Sequence, residues 1–413
     1  MLEYSLIFIA FLALLSIVFE EITHINKAKT TLFLGCLSWI ILFIAAEPAQ
    51  HELINHSLEE NLLEIAVLWL FLMSTMTFVA YLNSKGVIQM AVQRLFPAKA
   101  SVTIIMFLVA IFSLLLSAIC DNITATLVSL TLLQSFNVDT RTKLRMAILV
   151  VFAVNSGGVA LITGDVTTLM IYLEGHLQIS QLFMLLLPSL VSVLFLAGIF
   201  SIGLKGQVIT TPAKKGYETV DVLIAIIFFS TILSTMLFNV FFAIPPVLTF
   251  LTGLSVMFLV GQMYKNDKQE REVLEYIRQI EFDTLLFFLG ILLLVGMLKE
   301  IGILQMVTQL YAQFDPMYSN YVAGIGSSLL DNVPLTAALL KAEPILNSAQ
   351  WLGLTYAVGV GGSLLVIGSA SGIIAMSKLK EITFFSYCRY IPALLVAYTI
   401  GYALTIYLGR YFY

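Results

Sequence analysis

Ser117-Ala118-Ile119-Cys120-Asp121-Asn122-Ile123-Thr124 and Ser327-Ser328-Leu329-Leu330-Asp331-Asn332-Val333-Pro334 are two short polar interruptions in a mostly apolar chain. Each breaks an otherwise apolar segment, 101–134 or 319–346, with an Asp-Asn pair near its middle. The surrounding chain gives the break its meaning. Of 413 residues, 60% are hydrophobic and only 11% charged, against about 45–50% and about 25% in soluble domains. That composition reads as an integral membrane protein of many spans. A net charge of −4 leaves no basic face for a phosphate backbone, which excludes nucleic acid as a partner. Cys36, Cys120 and Cys388 lie far apart with no ligand-pair spacing, so neither a disulfide framework nor a zinc site is expected.

A helix needs roughly 20 apolar residues to cross a bilayer core. Ten such spans are read between clusters of charge and Pro/Gly, approximately at 4–19, 31–46, 61–82, 145–173, 181–204, 220–243, 246–264, 282–298, 351–377 and 384–409. The first opens Met1-Leu2-Glu3, without a basic leader, and is expected to be retained. Lys85, Arg94 and Lys99 precede 101–134, and Arg141, Lys143 and Arg145 follow it. The positive-inside rule puts both flanks in the cytoplasm, so the segment is a re-entrant hairpin with its Asp-Asn tip near mid-membrane depth. Charge then sorts cleanly: only Lys299, Lys341 and Arg410 fall outside, and both termini are expected there.

An internal repeat runs through the chain. Gly86-Val87-Ile88-Gln89-Met90-Ala91-Val92-Gln93 is echoed by Gly302-Ile303-Leu304-Gln305-Met306-Val307-Thr308-Gln309, after spans that open with Glu64 and Glu281. The Ser-x-x-x-Asp-Asn tips come next, and then Gly157-Gly158 with Gly164-Asp165, echoed at the same spacing by Gly361-Gly362 with Gly368-Ser369. Three motifs in one order mark a duplication. Each half holds five spans and a hairpin, and an odd number of spans inverts the second copy. The expected fold is therefore an all-α polytopic membrane protein of two inverted repeats, 1–205 and 220–413, joined by a cytoplasmic linker at 206–219. Each repeat carries one re-entrant hairpin (101–134 or 319–346) and one unwound helix (145–173 or 351–377). That is the architecture of secondary transporters.

Glycine clusters in a span either let helices pack closely or invite unwinding that frees carbonyls for a cation. Pairing of each cluster with a hairpin tip favours unwinding here. A carboxylate at bilayer depth costs on the order of 3 kcal/mol, so Asp121, Asp165 and Asp331 are read as proton- or cation-coupling groups. Ser117 and Ser327, one turn before the tip aspartates, can place a hydroxyl beside them. With Asn122, Thr124, Asn332 and the carbonyls of Gly158 and Gly362, they form an oxygen set suited to a hard cation. Asn155, Thr163, Thr167, Ser369 and Ser371 are supporting candidates. Asp165 breaks the symmetry, since its counterpart is Ser369, and a carboxylate beside a cation site can trade a proton for the cation. Glu20, Glu21 and His24, with Lys27 and Lys29, form a polar cluster that is either an interfacial anchor or a pH-sensing or ion-entry funnel.

These motifs resemble the ion transporter superfamily and, within it, the NhaD-type sodium/proton antiporters. The carrying residues are Glu20-Glu21-x-x-His24-x-x-Lys27-x-Lys29, both tips, Gly164-Asp165-Val166-Thr167-Thr168 and Gly368-Ser369-Ala370-Ser371-Gly372. The resemblance implies exchange of Na+ for H+ by alternating access, with Li+ left open as a second cargo. It implies a homodimer with a scaffold part and a moving part in a bacterial inner membrane, and no resident cofactor. Dicarboxylate carriers of the superfamily typically carry Ser-Asn-Thr tips; the acidic tips here repel anions and favour a cation. Sodium-coupled dicarboxylate uptake or arsenite efflux keeps the fold and changes the cargo. An intramembrane aspartyl protease would need a Tyr-Asp motif, and none of the intramembrane aspartates follows a tyrosine.

Overall fold

The computed structural model describes residues 2–18, 26–87, 96–97, 99–134, 136–204, 206–209, 219–263, 275–379 and 381–413. The apolar runs are helical, as they must be where no water can satisfy backbone polar groups. The chain opens with α1 (Leu2–Val18), α2 (Lys27–Ala45) and α3 (His51–Ser84), followed by α4 (Val102–Ile119) and α5 (Asn122–Gln134). Then come α6 (Thr140–Gly158), α7 (Val166–Leu173), α8 (Ile179–Phe183) and α9 (Leu186–Ser201). The second half holds α10 (Thr219–Phe242), α11 (Pro246–Met263), α12 (Phe282–Glu300), α13 (Gln305–Gln313), α14 (Pro316–Leu330) and α15 (Asn332–Lys341). It closes with α16 (Ser348–Gly361), α17 (Ala370–Lys378), α18 (Phe384–Cys388) and α19 (Ile391–Phe412). Strand β1 (Lys99–Ser101) pairs antiparallel with β2 (Gln207–Ile209), tying the approach to α4 to the segment after α9.

Among the described residues, eight helices are long and apolar enough to cross a membrane. Seven coincide with expected continuous spans. The eighth is α4, whose 18 residues suffice by length and composition although the sequence reading makes it half of a hairpin. The expected first span is shorter, with an apolar stretch of Glu3–Ile17. The expected span 61–82 belongs to the 34-residue α3, about 51 Å long at 1.5 Å per residue. The exposed glutamates Glu52, Glu59 and Glu60 of its first turns mark the end that outruns the apolar core.

Helices group by packing rather than by order in the chain. In one group α2 lies along α12, and the two cross at glycines: a Cβ on Gly290 would stand 2.3 Å from the Leu32 nitrogen, and one on Gly35 2.7 Å from the Gly290 oxygen. Trp39 and Trp69 donate indole N–H groups to the Leu293 and Leu285 carbonyls of α12, at 2.9 and 2.8 Å. Helices α1, α3, α10 and α11 complete this group, and the second group holds α4 to α7, α9, α14 to α17 and α19. Its most buried elements lead into the broken helices: residues 146–160 and 351–364 are buried without exception.

Both broken spans are interrupted where the glycines predict. Helix α6 stops at Gly158 and the chain turns until α7 begins at Val166. Helix α16 stops at Gly361, and a short 3-10 turn precedes the restart at Ala370. The glycines also permit close packing: a Cβ on Gly157 would lie 2.0 Å from the Leu114 carbonyl oxygen, and one on Gly361 2.0 Å from the Gly324 carbonyl oxygen. The two readings of the glycines are therefore compatible. Helices α4 and α5 fold back on each other, since Ser113 donates to Ser129 at 2.9 Å and each lies eight residues from Asp121. At the repeat signal, Gly86 and Gly302 both have positive φ, 74° and 75°, the left-handed conformation that ends a helix at little cost for glycine. The matching residues 88–93 lie outside the described residues.

Candidate functional site

The two tips and the two breaks meet. Asp165, the N-cap of α7, accepts on Oδ1 from the Thr167 N–H at 2.9 Å and from the Thr167 hydroxyl at 3.0 Å. Its Oδ2 accepts from Asn122 Nδ2 at 2.8 Å and from Asn332 Nδ2 at 3.3 Å, one amide from each tip. Ser369 is the matching N-cap of α17, taking the Gly372 N–H at 3.4 Å and the Asn155 amide at 3.2 Å. Asn122 lies over Gly158, where a Cβ would come within 2.6 Å of its Oδ1, and Asn332 lies beside Gly362. Thr126 and Thr336 donate back to the Asn122 and Asn332 carbonyls, each at 2.7 Å.

The tip aspartates have different partners. Asp121 accepts from the Thr124 N–H at 2.9 Å and the Thr124 hydroxyl at 2.8 Å, which starts α5 in the manner of a helix cap. Asp331 sits at φ 69°, uncommon for a residue with a side chain. Lys27 Nζ stands 3.6 Å from its Oδ2. Ser117 donates to Asn122 Oδ1 at 2.7 Å rather than to Asp121, and Ser327 donates to the Val358 carbonyl at 2.7 Å rather than to Asp331. Thr163 donates to the Ala118 carbonyl at 2.9 Å. Among the described residues, buried oxygens without a partner remain around the breaks: Asn155 Oδ1, Ser156 Oγ, Thr168 Oγ1 and Ser371 Oγ. Glu20, Glu21 and His24 lie outside the described residues.

A cavity of about 510 Å³ opens where both tips meet both breaks. Among the described residues, five carboxylates line it, Asp121, Asp165, Glu281, Asp283 and Asp331, against two lysines, Lys27 and Lys378. A low-dielectric cleft with that balance concentrates cations and repels anions. Sequence reading set Glu281 near a span start and Lys27 in a polar cluster; the structure puts both in the cavity wall. No local signal gives this away, because α12 and α2 reach the tips only through packing. Helices α7 and α15 lead away from the site to a second cavity of about 230 Å³, lined by Glu64, Glu174 and Lys341. There Lys341, at the end of α15, pairs with Glu64 of α3 and lies 3.8 Å from Glu174 beyond α7.

A bundle of apolar helices with two broken spans, two hairpin tips and an acidic cavity at their meeting point defines a polytopic membrane transporter. The chain belongs to the family described as "Citrate transporter" (CitMHS), which matches residues 6–359. It is 29% identical to the Na(+)/H(+) antiporter NhaD of Vibrio cholerae over 98% of this chain and 92% of that protein. It is 30% identical to the NhaD of Halomonas elongata over 92% and 83%. Sodium/proton antiporter 2 of Arabidopsis thaliana is 27% identical over 90% and 91%.

Proposed function

We propose that this protein exchanges Na+ for H+ across the membrane by alternating access, with the oxygens around Asp165 holding cation or proton in turn. One observation carries the reading: a single carboxylate oxygen of Asp165 is shared by amides from both tips, inside a cavity with five carboxylates. Oxygens of Ser117, Asn122 and the carbonyls freed at the breaks supply the hard ligands that a small cation takes. The names of the relatives agree with that cargo. Citrate, the word in the family's description, is an anion that such a wall would repel.

The two halves, 1–205 and 220–413 with a linker at 206–219, are inverted repeats, and the hairpins are re-entrant, with the cavity beside Lys27 and Lys378 opening to the cytoplasm. The group around α2 and α12 is the scaffold, and the group holding both hairpins moves. The protein works as a homodimer in a bacterial inner membrane, and Li+ is a second cargo. The test is the purified protein in proteoliposomes: sodium should dissipate an imposed pH gradient. Citrate or arsenite accumulation without sodium-driven proton movement would replace the exchange reading with an anion carrier.

A further inference from the structure

The ion pair between Lys27 and Asp331 has no part in the exchange just described, yet it sits inside the site. Lys27 is the first residue of α2, and its N-cap, Asn26, donates to Asp283 Oδ2 at 2.7 Å. The ammonium lies 3.6 Å from Asp331 Oδ2 and 5.0 Å from the centre of the Phe287 ring. Both side chains are largely shielded, 19% and 8% exposed. A shielded charge pair of this kind is felt far more strongly than one at a surface, and the ring face adds to the hold on the cation. Among the three site aspartates, the partners given by the described residues differ in kind: a threonine for Asp121, two amides and a threonine for Asp165, and a lysine for Asp331. Lys27 also belongs to the helix group around α12, whereas Asp331 sits at a hairpin tip in the other group.

We infer that Lys27 is a tethered counter-cation of Asp331, and that sodium reaches this carboxylate only by displacing the ammonium. The inference rests on the exchange reading and adds a residue that sets sodium affinity. A hard cation needs oxygen contacts of about 2.4 Å, and an ammonium already beside the same oxygen repels it. Once displaced, the ammonium has Glu281 and Asp283 in the same cavity wall to receive it. Sodium affinity is then the difference between two cations competing for one carboxylate, which keeps binding loose enough for release. The tether also bridges the two helix groups, so occupancy of Asp331 by sodium frees the tip from α2.

The test compares wild type, Lys27→Met and Lys27→Arg in proteoliposomes, reading sodium-driven proton movement, together with equilibrium binding of radioactive sodium to the purified proteins. Lys27→Met should lower both the sodium KM and the sodium Kd about five-fold or more, and lower maximal turnover because release slows. Lys27→Arg keeps the tethered charge and should return both constants to within about two-fold of wild type. Should the methionine variant not fold, Lys27→Gln removes the charge while keeping a polar tip, and the same shift is expected. An unchanged or raised KM and Kd in the uncharged variant would overturn the inference while leaving the exchange reading intact. A wild type that moves no protons in response to sodium would overturn the exchange reading, and this inference with it.

Discussion

The Asn332 amide donates to Asp165 Oδ2 at 3.3 Å across 167 residues of chain, so the second hairpin completes the environment of a carboxylate that the first half supplies. Neither half by itself holds the site, and substitutions at this junction should be felt in exchange before they are felt in folding.

Asp165→Asn removes the charge shared by the two tips while keeping its shape. Sodium-driven dissipation of a pH gradient should disappear, and Asp165→Glu should retain exchange with an altered pH midpoint. A hydrogen bond to a charged group is worth about 1.5–3 kcal/mol, so Asn122→Ala should raise the sodium KM roughly ten-fold or more. Asn332→Ala, at the longer contact, should raise it less. Wild-type rates in Asp165→Asn would remove this residue from the mechanism.

Both oxygens of Asp121 are engaged by Thr124, and the two variants at this pair should separate charge from capping. Asp121→Asn keeps an acceptor for the Thr124 N–H and should fold normally, yet lose exchange. Thr124→Val should lower thermal stability by about 1 kcal/mol, the usual scale of one lost hydrogen bond, and leave exchange measurable. Full exchange in Asp121→Asn would make this aspartate a cap and nothing more.

Alanine at Gly157 or Gly361 would drive a methyl group to 2.0 Å from a hairpin carbonyl oxygen. Overpacking of this kind costs about 1–3 kcal/mol, visible as a lower midpoint for thermal unfolding in detergent. Gly198→Ala, in α9 with nothing within 4 Å of the added methyl, is the control and should be neutral or slightly stabilising. Equal midpoints for all three variants would contradict the close crossings.

Lys341 holds the far end of α15 to Glu64 and stands near Glu174, so Lys341→Met should loosen the second cavity. With Cys36, Cys120 and Cys388 replaced, a cysteine at Ala337 in that cavity should react faster with an impermeant maleimide added outside the cell when Lys341 is methionine. Labelling that is indifferent to Lys341 would mean that the pair does not close this side.

Asp139 caps α6 by accepting from the Thr142 N–H and hydroxyl, at 3.1 and 2.6 Å, and these bonds hold its carboxyl below the usual range. A lowered folded-state pKa contributes stability above the unfolded value and loses it as pH falls through the folded one. Asn caps nearly as well and does not titrate. The advantage of wild type over Asp139→Asn in thermal stability should therefore be present at neutral pH and shrink below about pH 4, the ordinary carboxylate range. A constant difference down to pH 3 would contradict the cap.

Much of the site is legible in the sequence. Asp121, Asn122, Asp165, Asp331 and Asn332 stand out because polar groups in an apolar run are costly, and all five line the central cavity. The serines were placed one turn from the aspartates, which is true along each helix, but Ser117 and Ser327 turn to Asn122 and to the Val358 carbonyl instead. Helical spacing tells which face a side chain shares; the tilt of the neighbouring hairpin arm and broken helix chooses its partner.

Bilayer thickness, hydropathy and Gly or Asp-Asn punctuation act over one or two turns of chain, so the helical membrane class, the two interrupted segments and the two broken spans are written locally in the amino-acid order. It takes the folded molecule to set Lys27 against Asp331, to pair Lys341 with Glu64 across 277 residues, and to bring Glu281 and Asp283 into the cavity wall. Such pairings are made through space, where α12 packs on α15 and brings α2 and α3 with it, and a charge at a helix end carries no local mark of the partner that packing will bring to it.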